Sequence, residues 1–262
     1  MKKILTILSI CTLTFSAAYS QDDTYYTGDQ ATVEAQAAEA PPAMPQYVQP
    51  PCPEDGYLWN PGYWAWGTGG YYWVPGVWVL PPSPGLLWTP GYWGFYGSYY
   101  GWHHGYWGST IGFYGGVNYG FGYYGSGFYG GRWEGGHFRY NTAVWHVNGS
   151  IHNVYSDRSV VHQNGNRSSF NGPHGNNARP AAGEVGLMSH ANHTEKTPVQ
   201  AAHQQSMGTE KGQFAHTNNG RPAVHSMSQP GGQRFNQGGH AIRSGGGGGG
   251  GHAGGGGGGG RR

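Results

Sequence analysis

The chain has 262 residues, 15% of them aromatic and only 10% charged, with 52 Gly, 17 Pro, 2 Cys and a formal charge of +2. So few cysteines exclude a disulfide framework and a cysteine-rich metal site, and the lack of dense Lys/Arg clusters excludes an ordinary nucleic-acid-binding surface. No phosphate loop ending in Gly-Lys-Ser/Thr, no Gly-x-Ser-x-Gly elbow and no His-Glu-x-x-His metal motif occurs.

Residues 1–20 read as a secretory leader. Lys2 and Lys3 precede an apolar run from Ile4 to Phe15, and Ala18-Tyr19-Ser20 is a small-x-small cleavage signal before Gln21. The expectation is therefore export to the periplasm, the outer-membrane surface or the extracellular space. Lipid anchoring at Cys11 is not expected, because Ile10 precedes it and the apolar run continues past it. No later stretch is apolar for 18 residues, so the mature chain is expected to lack a transmembrane helix. Nor do its segments read as the ten-residue lipid-facing strands of a membrane barrel.

Residues 21–54 read as an Ala/Pro-rich linker. Ala31 to Ala40 suits a short helix, and Pro41, Pro42, Pro45, Pro50, Pro51 and Pro53 impose extended chain. Cys52 is the one cysteine after the leader, which points to an intermolecular disulfide or a free thiol.

Residues 55–111 hold one motif four times: Trp59-Asn60-Pro61-Gly62-Tyr63-Trp64, Trp73-Val74-Pro75-Gly76-Val77-Trp78, Trp88-Thr89-Pro90-Gly91-Tyr92-Trp93 and Trp102-His103-His104-Gly105-Tyr106-Trp107. Pro then Gly suits a type II turn, with Gly taking the positive φ. Each copy is then its own hairpin, with Trp59 opposite Trp64 and both indoles on one face. Second turns fall at Gly67-Thr68-Gly69-Gly70, Pro81-Pro82-Ser83-Pro84-Gly85 and Gly97-Ser98. About eight short strands in a meander follow. The aromatic face suits a hydrophobic core first, then a stacking platform for sugar rings, then self-association. As a platform it would use Trp66, Tyr63, Tyr92 and Tyr106.

Residues 112–162 alternate Gly with aromatic rings and then turn to short β segments. The Gly/aromatic part suits either packing against the hairpins or adhesive self-association. Arg132 to Tyr140 suits one more hairpin, with Gly135-Gly136 as its turn. From residue 163 the apolar content collapses into Gly, Asn, Gln and His, so 163–262 reads as a disordered tail, with fleeting helix near Val199 to Gln205. Residues 21–164 hold three basic and nine acidic groups, and 165–262 hold nine basic and three acidic. Such segregation suits head-to-tail association or an anionic polymer. The fold class expected is all-β: a small irregular meander of aromatic hairpins followed by that tail.

Chemistry is sparse. Glu134 and Asp157 are the only carboxylates between residues 56 and 164, which leaves no convincing acid–base pair. The 14 His are irregularly spaced and lack accompanying Cys or carboxylates, so weak metal binding by the tail is the most they suggest. No catalytic residue, cofactor or dedicated metal site is expected. The partners expected are the chain itself or an envelope polymer such as polysaccharide or peptidoglycan, with no nucleic acid.

The four copies, with Tyr72 ahead of Trp73, resemble the YXWGXW (WXXGXW) repeat proteins of Gram-negative bacteria. Gly112 to Tyr123 and His152-Asn153-Val154-Tyr155 also look like stretches of that family. The resemblance covers roughly residues 55–160, and more loosely Asn177-Ala178-Arg179-Pro180 and Gly220-Arg221-Pro222-Ala223. It implies an exported protein with no catalytic residues to carry over. His103-His104 departs from the x-Pro of the other copies.

Overall fold

The computed structural model describes residues 33–159, 166–187 and 193–242. The leader, Cys11, His162, His190, His252 and the two terminal glycine runs lie outside the described residues. The expected all-β class with short aromatic strands holds. Strand β1 (Val33–Ala37) stands where a short helix was expected. It pairs antiparallel with β8, residues Tyr100–His103, which offer an open ladder edge that outweighs alanine's helix preference.

The repeats form eight strands: β2 (Leu58–Asn60), β3 (Tyr63–Gly67), β4 (Gly70–Val74), β5 (Val77–Val79), β6 (Leu87–Thr89), β7 (Tyr92–Phe95), β8 and β9 (Tyr106–Gly108). Their pairing differs from the expected one. Strand β2 pairs with β5, placing Trp59 opposite Trp78, and β3 pairs with β4, placing Trp64 opposite Trp73. Copies three and four repeat the scheme, with Trp88 opposite Trp107 and Trp93 opposite Trp102. A copy is therefore half of a long antiparallel hairpin, and two copies make one folded unit. The register runs unbroken through each unit. Gly67-Thr68-Gly69-Gly70 closes the first, with Gly70 at φ 86°, and Tyr96 to Tyr99 close the second.

The Pro-Gly steps are not turns. Gly62, Gly76, Gly91 and Gly105 are absent from the positive-φ glycines, and the chain passes straight through each. Pro61, Pro75 and Pro90 lack an N–H and interrupt the ladder there. The glycines serve close approach instead. A Cβ on Gly76 would lie 2.5 Å from the Trp59 ring and 3.0 Å from Gly62 N. One on Gly105 would lie 2.5 Å from the Trp88 ring and 2.8 Å from Gly91 N. Reciprocally, Trp73 covers Gly62 and Trp102 covers Gly91. The first Trp of each copy thus lies over the glycine of the copy it pairs with.

Straight-through strands also correct the facing of the tryptophans. Two Trp five residues apart in a period-two strand point to opposite faces. Trp59, Trp78, Trp88 and Trp107 accordingly share one core, with Leu58, Phe138 and Trp145. Trp64, Trp73, Trp93 and Trp102 share a second, with Tyr71, Tyr92 and Tyr123. The four cross-copy indole pairs have centroids 5.2–5.4 Å apart and planes 52–67° from parallel, near the edge-to-face geometry that the ring quadrupoles favour.

The segment read as a linker is packed. Trp78 Nε1 donates to Pro50 O at 2.8 Å, Trp64 Nε1 to Ala43 O at 3.2 Å and the Tyr71 hydroxyl to Glu39 O at 2.9 Å. Proline cannot donate, but its carbonyl accepts freely, so this chain suits a row of indole donors. Cys52 is fully buried, and burial above all pushes its thiol up to about 12. That argues against an intermolecular disulfide. With the native protein at mildly alkaline pH, Ellman's reagent should leave Cys52 unmodified, and the thiol should react once denaturant is added. Prompt reaction of the native protein would contradict the packing.

The Gly/aromatic stretch forms β10 (Asn118–Gly120), β11 (Tyr123–Tyr124), β12 (Gly131–Glu134), β13 (His137–Asn141) and β14 (Val154–Tyr155). Of its two readings, packing is the one observed: Phe113, Tyr114, Tyr119 and Tyr123 are buried. The hairpin at Gly135-Gly136 forms as expected, with φ of 58° and 81°.

The described part of the C-terminal segment differs from a disordered tail. It contains β15 (Phe170–Asn171), α1 (Ala182–Leu187), α2 (Pro198–Met207), a 3-10 turn at Lys211–Gln213, α3 (Ala215–Asn218), β16 (Ser226–Met227), β17 (Arg234–Phe235) and β18 (Ala241–Ile242). Helix α2 begins with a capping box between Thr197 and Gln200. The segment from Thr197 to His225 docks through polar groups. Gln200 Oε1 accepts from Trp107 Nε1 at 2.8 Å, and Gln213 Nε2 donates to Trp73 O at 3.1 Å. Trp73 Nε1 donates to His225 O at 3.0 Å.

Two histidines make this docking sensitive to acid. His203 bonds Pro75 O at 2.9 Å through Nε2. Its burial dominates and lowers its pKa from the ordinary 6.5, with the nearby Arg234 adding to the shift and Pro75 O and Glu210 opposing it. Burial also lowers His225. A lowered folded pKa means that the unfolded segment takes up protons first as pH falls. The docking contribution is thus complete above about pH 6.5 and declines as pH drops below it. Amide protection factors in residues 198–227, taken relative to intrinsic exchange at each pH, should fall between neutral and mildly acid pH, more than in β2–β5. Equal protection across that range would contradict this.

Candidate functional site

The residues nominated as a sugar platform do not make one. Tyr92 is 3% exposed and stacks on the His103 ring at 4.6 Å. Tyr106 is 8% exposed and stacks on His193 at 3.5 Å. Tyr63 is half-buried, stacked on Trp102 at 5.1 Å, and donates its hydroxyl to Gln204 Oε1 at 3.0 Å. Trp66 is half-buried edge-on to Tyr71. All eight repeat tryptophans are buried. The straight-through strands send every indole into one of two cores, and the flanking segments cover both.

Acid–base groups do not converge either. Glu134 lies between Arg132 Nε at 2.5 Å and Arg139 Nη1 at 2.9 Å, and the bonds from Arg139 and then Arg132 hold its carboxyl below the usual range. Asp157 is lowered by the Ser159 hydroxyl and N–H. Both are surface carboxylates in local pairs. His104, standing where the other copies have Pro, lies 3.4 Å from Glu34 and 3.5 Å from Glu195. It ties β1 and the lead into α2 to the fourth copy. Among the described residues no group of three or more His, Cys, Asp or Glu is placed to hold a metal ion.

The feature with binding geometry is a cleft of about 550 Å³ between the Pro-rich strap and the β10–β11 turn, within the size range of small-molecule sites. Tyr47, Tyr119 and Phe121 give it aromatic walls; Gln46, Asn118 and Arg167 supply polar groups. Tyr47 ties it to the Pro-Gly crossing of the first unit, where Gly62 N donates to Tyr47 Oη at 3.0 Å. Tyr119 occupies the matching place in the second unit, donating its hydroxyl to Gly91 O. Phe121 has a left-handed backbone, φ 49°, which costs a bulky side chain about 1 kcal/mol or more. Its ring packs against Tyr47 and Trp59 at 5.1 and 5.7 Å, and its carbonyl accepts from Trp145 Nε1 at 2.8 Å.

None of these cleft residues was nominated from sequence. Tyr47 and Gln46 sit among prolines read as linker, and Arg167 sits in the segment read as tail. No local pattern brings them together.

No helix among the described residues is long and apolar enough to cross a membrane. No curated protein and no solved structure matches the chain. Residues 55–79 match the WXXGXW repeat in two copies, an interval that coincides with the first folded unit, β2 to β5. The chain is thus a carrier of the WXXGXW repeat, and the two matched copies are the two halves of one hairpin.

Proposed function

We propose that the chain is an exported, non-catalytic structural or interaction protein of the cell envelope or matrix. The observation that carries this reading is the burial of all eight repeat tryptophans: the repeat is spent on scaffold. The leader pattern at residues 1–20 supports export, and the lack of converging acid–base groups among the described residues supports a non-catalytic role. Expression of the full chain in a Gram-negative host, followed by fractionation and intact-mass measurement, tests it. The reading expects an envelope or medium fraction and a chain beginning at Gln21. A cytoplasmic chain that retains the leader overturns it.

A second reading, a glycan-binding module, is favoured by the cleft rather than by the repeat tryptophans. Ring walls beside side-chain amides and a guanidinium match a sugar's alternation of C–H faces and hydroxyls.

A further inference from the structure

The cleft between the strap and the β10–β11 turn carries one charged lining side chain, Arg167. That arginine is held from both sides by a single residue. Its Nε donates to Met44 O at 2.9 Å, Nη2 donates to the same oxygen, and Met44 N donates to Arg167 O at 2.8 Å. The Nε–Nη2 side of the guanidinium is thereby fixed, while Nη1 makes no protein hydrogen bond or ion pair among the described residues. A guanidinium anchored along one side presents its remaining N–H groups in a set direction, the arrangement that suits a carboxylate. No acidic residue lines the cleft.

The neighbouring groups narrow the ligand. Asn118 Oδ1 is occupied by Gly120 N at 3.0 Å, which fixes the amide so that its NH₂ remains as a donor. Gln46 is exposed on the rim and adds a donor and an acceptor. Tyr47 and Phe121, tilted 46° to each other, give apolar faces that a flexible acidic peptide does not need but that the C–H face of a sugar ring fills. Phe121 holds its place at the cost of a left-handed backbone, a form of strain that clusters at ligand sites.

We propose that this cleft binds an acidic saccharide, with Arg167 receiving the sugar carboxylate, Asn118 and Gln46 bonding hydroxyls, and Tyr47 and Phe121 backing the ring. The proposal rests on the glycan-binding reading and gives it a site and a charge preference. The site is distinct from Trp66, Tyr63, Tyr92 and Tyr106.

Calorimetric titration of the full mature chain at physiological ionic strength tests it with three probes: an oligogalacturonate, an uncharged cello-oligosaccharide and a short poly-glutamate. The proposal expects oligogalacturonate to bind at least tenfold more tightly than the other two. Arg167→Gln should weaken that binding about tenfold and Gln46→Ala several-fold, with Cys52 remaining unreactive in both variants as a check on folding. Equal binding of the two saccharides, unaffected by Arg167→Gln, overturns the acidic preference while leaving glycan binding in place. Equal binding of poly-glutamate overturns the saccharide in favour of an acidic peptide. Binding of neither saccharide overturns both the inference and the reading beneath it.

Discussion

Replacing Gly62 with alanine is expected to destabilise the protein by about 3 kcal/mol or more, and asparagine there should do no better. The added Cβ would fall inside the Trp73 indole and 2.9 Å from the backbone N of Gly76. Relief requires moving the paired strand, because one obstacle is backbone and the other is a tryptophan fixed by a hydrogen bond to His225 O. Asparagine is the informative comparison. At a positive-φ glycine, asparagine is tolerated better than alanine, because its side chain stabilises the left-handed region. Gly136, at φ 81° with nothing within 4 Å of an added Cβ, provides that control. Chemical denaturation of the four variants is the measurement. A Gly62→Asn variant clearly more stable than Gly62→Ala would restore the type II turn and contradict the crossing.

Trp78→Ala should cost about 3–5 kcal/mol, in the range for emptying a buried aromatic site, whereas Trp66→Ala should cost only about 1 kcal/mol. Trp78 is fully buried, pairs with Trp59 at 5.3 Å and meets the Trp145 ring at 5.0 Å and 85°. Its Nε1 also satisfies the carbonyl of Pro50, so truncation opens a cavity, loosens the strap and leaves an acceptor unpaired. Trp66 is half-buried at the closed end of the hairpin. Denaturation midpoints would separate the two variants. Similar losses for both would mean that the outer and inner parts of the hairpin are packed alike, against the two-core arrangement.

These expectations follow from a pairing that the repeat itself hides. Alternation of aromatic and small residues around Trp59, Trp73 and Trp88 made the strands legible, and the Gly-rich steps at 67–70 and 135–136 made two turns legible. The partner of each strand was not. A Pro-Gly step fits a type II turn and an extended crossing equally well, because glycine serves both positive φ and close approach. One available signal was the odd spacing of the paired tryptophans. Five residues put both indoles on one face only if the chain reverses between them, and a type II reversal splays its strands.

The flanking segments were illegible for another reason. Their docking relies on backbone carbonyls, as at Ala43 and Pro50, and on buried amides, as at Gln200 and Gln213. Reading apolar content alone assigns such segments to linker and tail. The cleft is hidden for the same reason, since it exists only where Tyr47 and Arg167 from those segments meet the β10–β11 turn.

The most direct test of the account is a nuclear Overhauser map of indole protons in the folded mature protein. Pairing between copies predicts cross-peaks from Trp59 to Trp78 and from Trp64 to Trp73, matched by Trp88 to Trp107 and Trp93 to Trp102. Cross-peaks joining Trp59 to Trp64 and Trp73 to Trp78 instead, with none between copies, would show each repeat to be its own hairpin and contradict the two-copy unit.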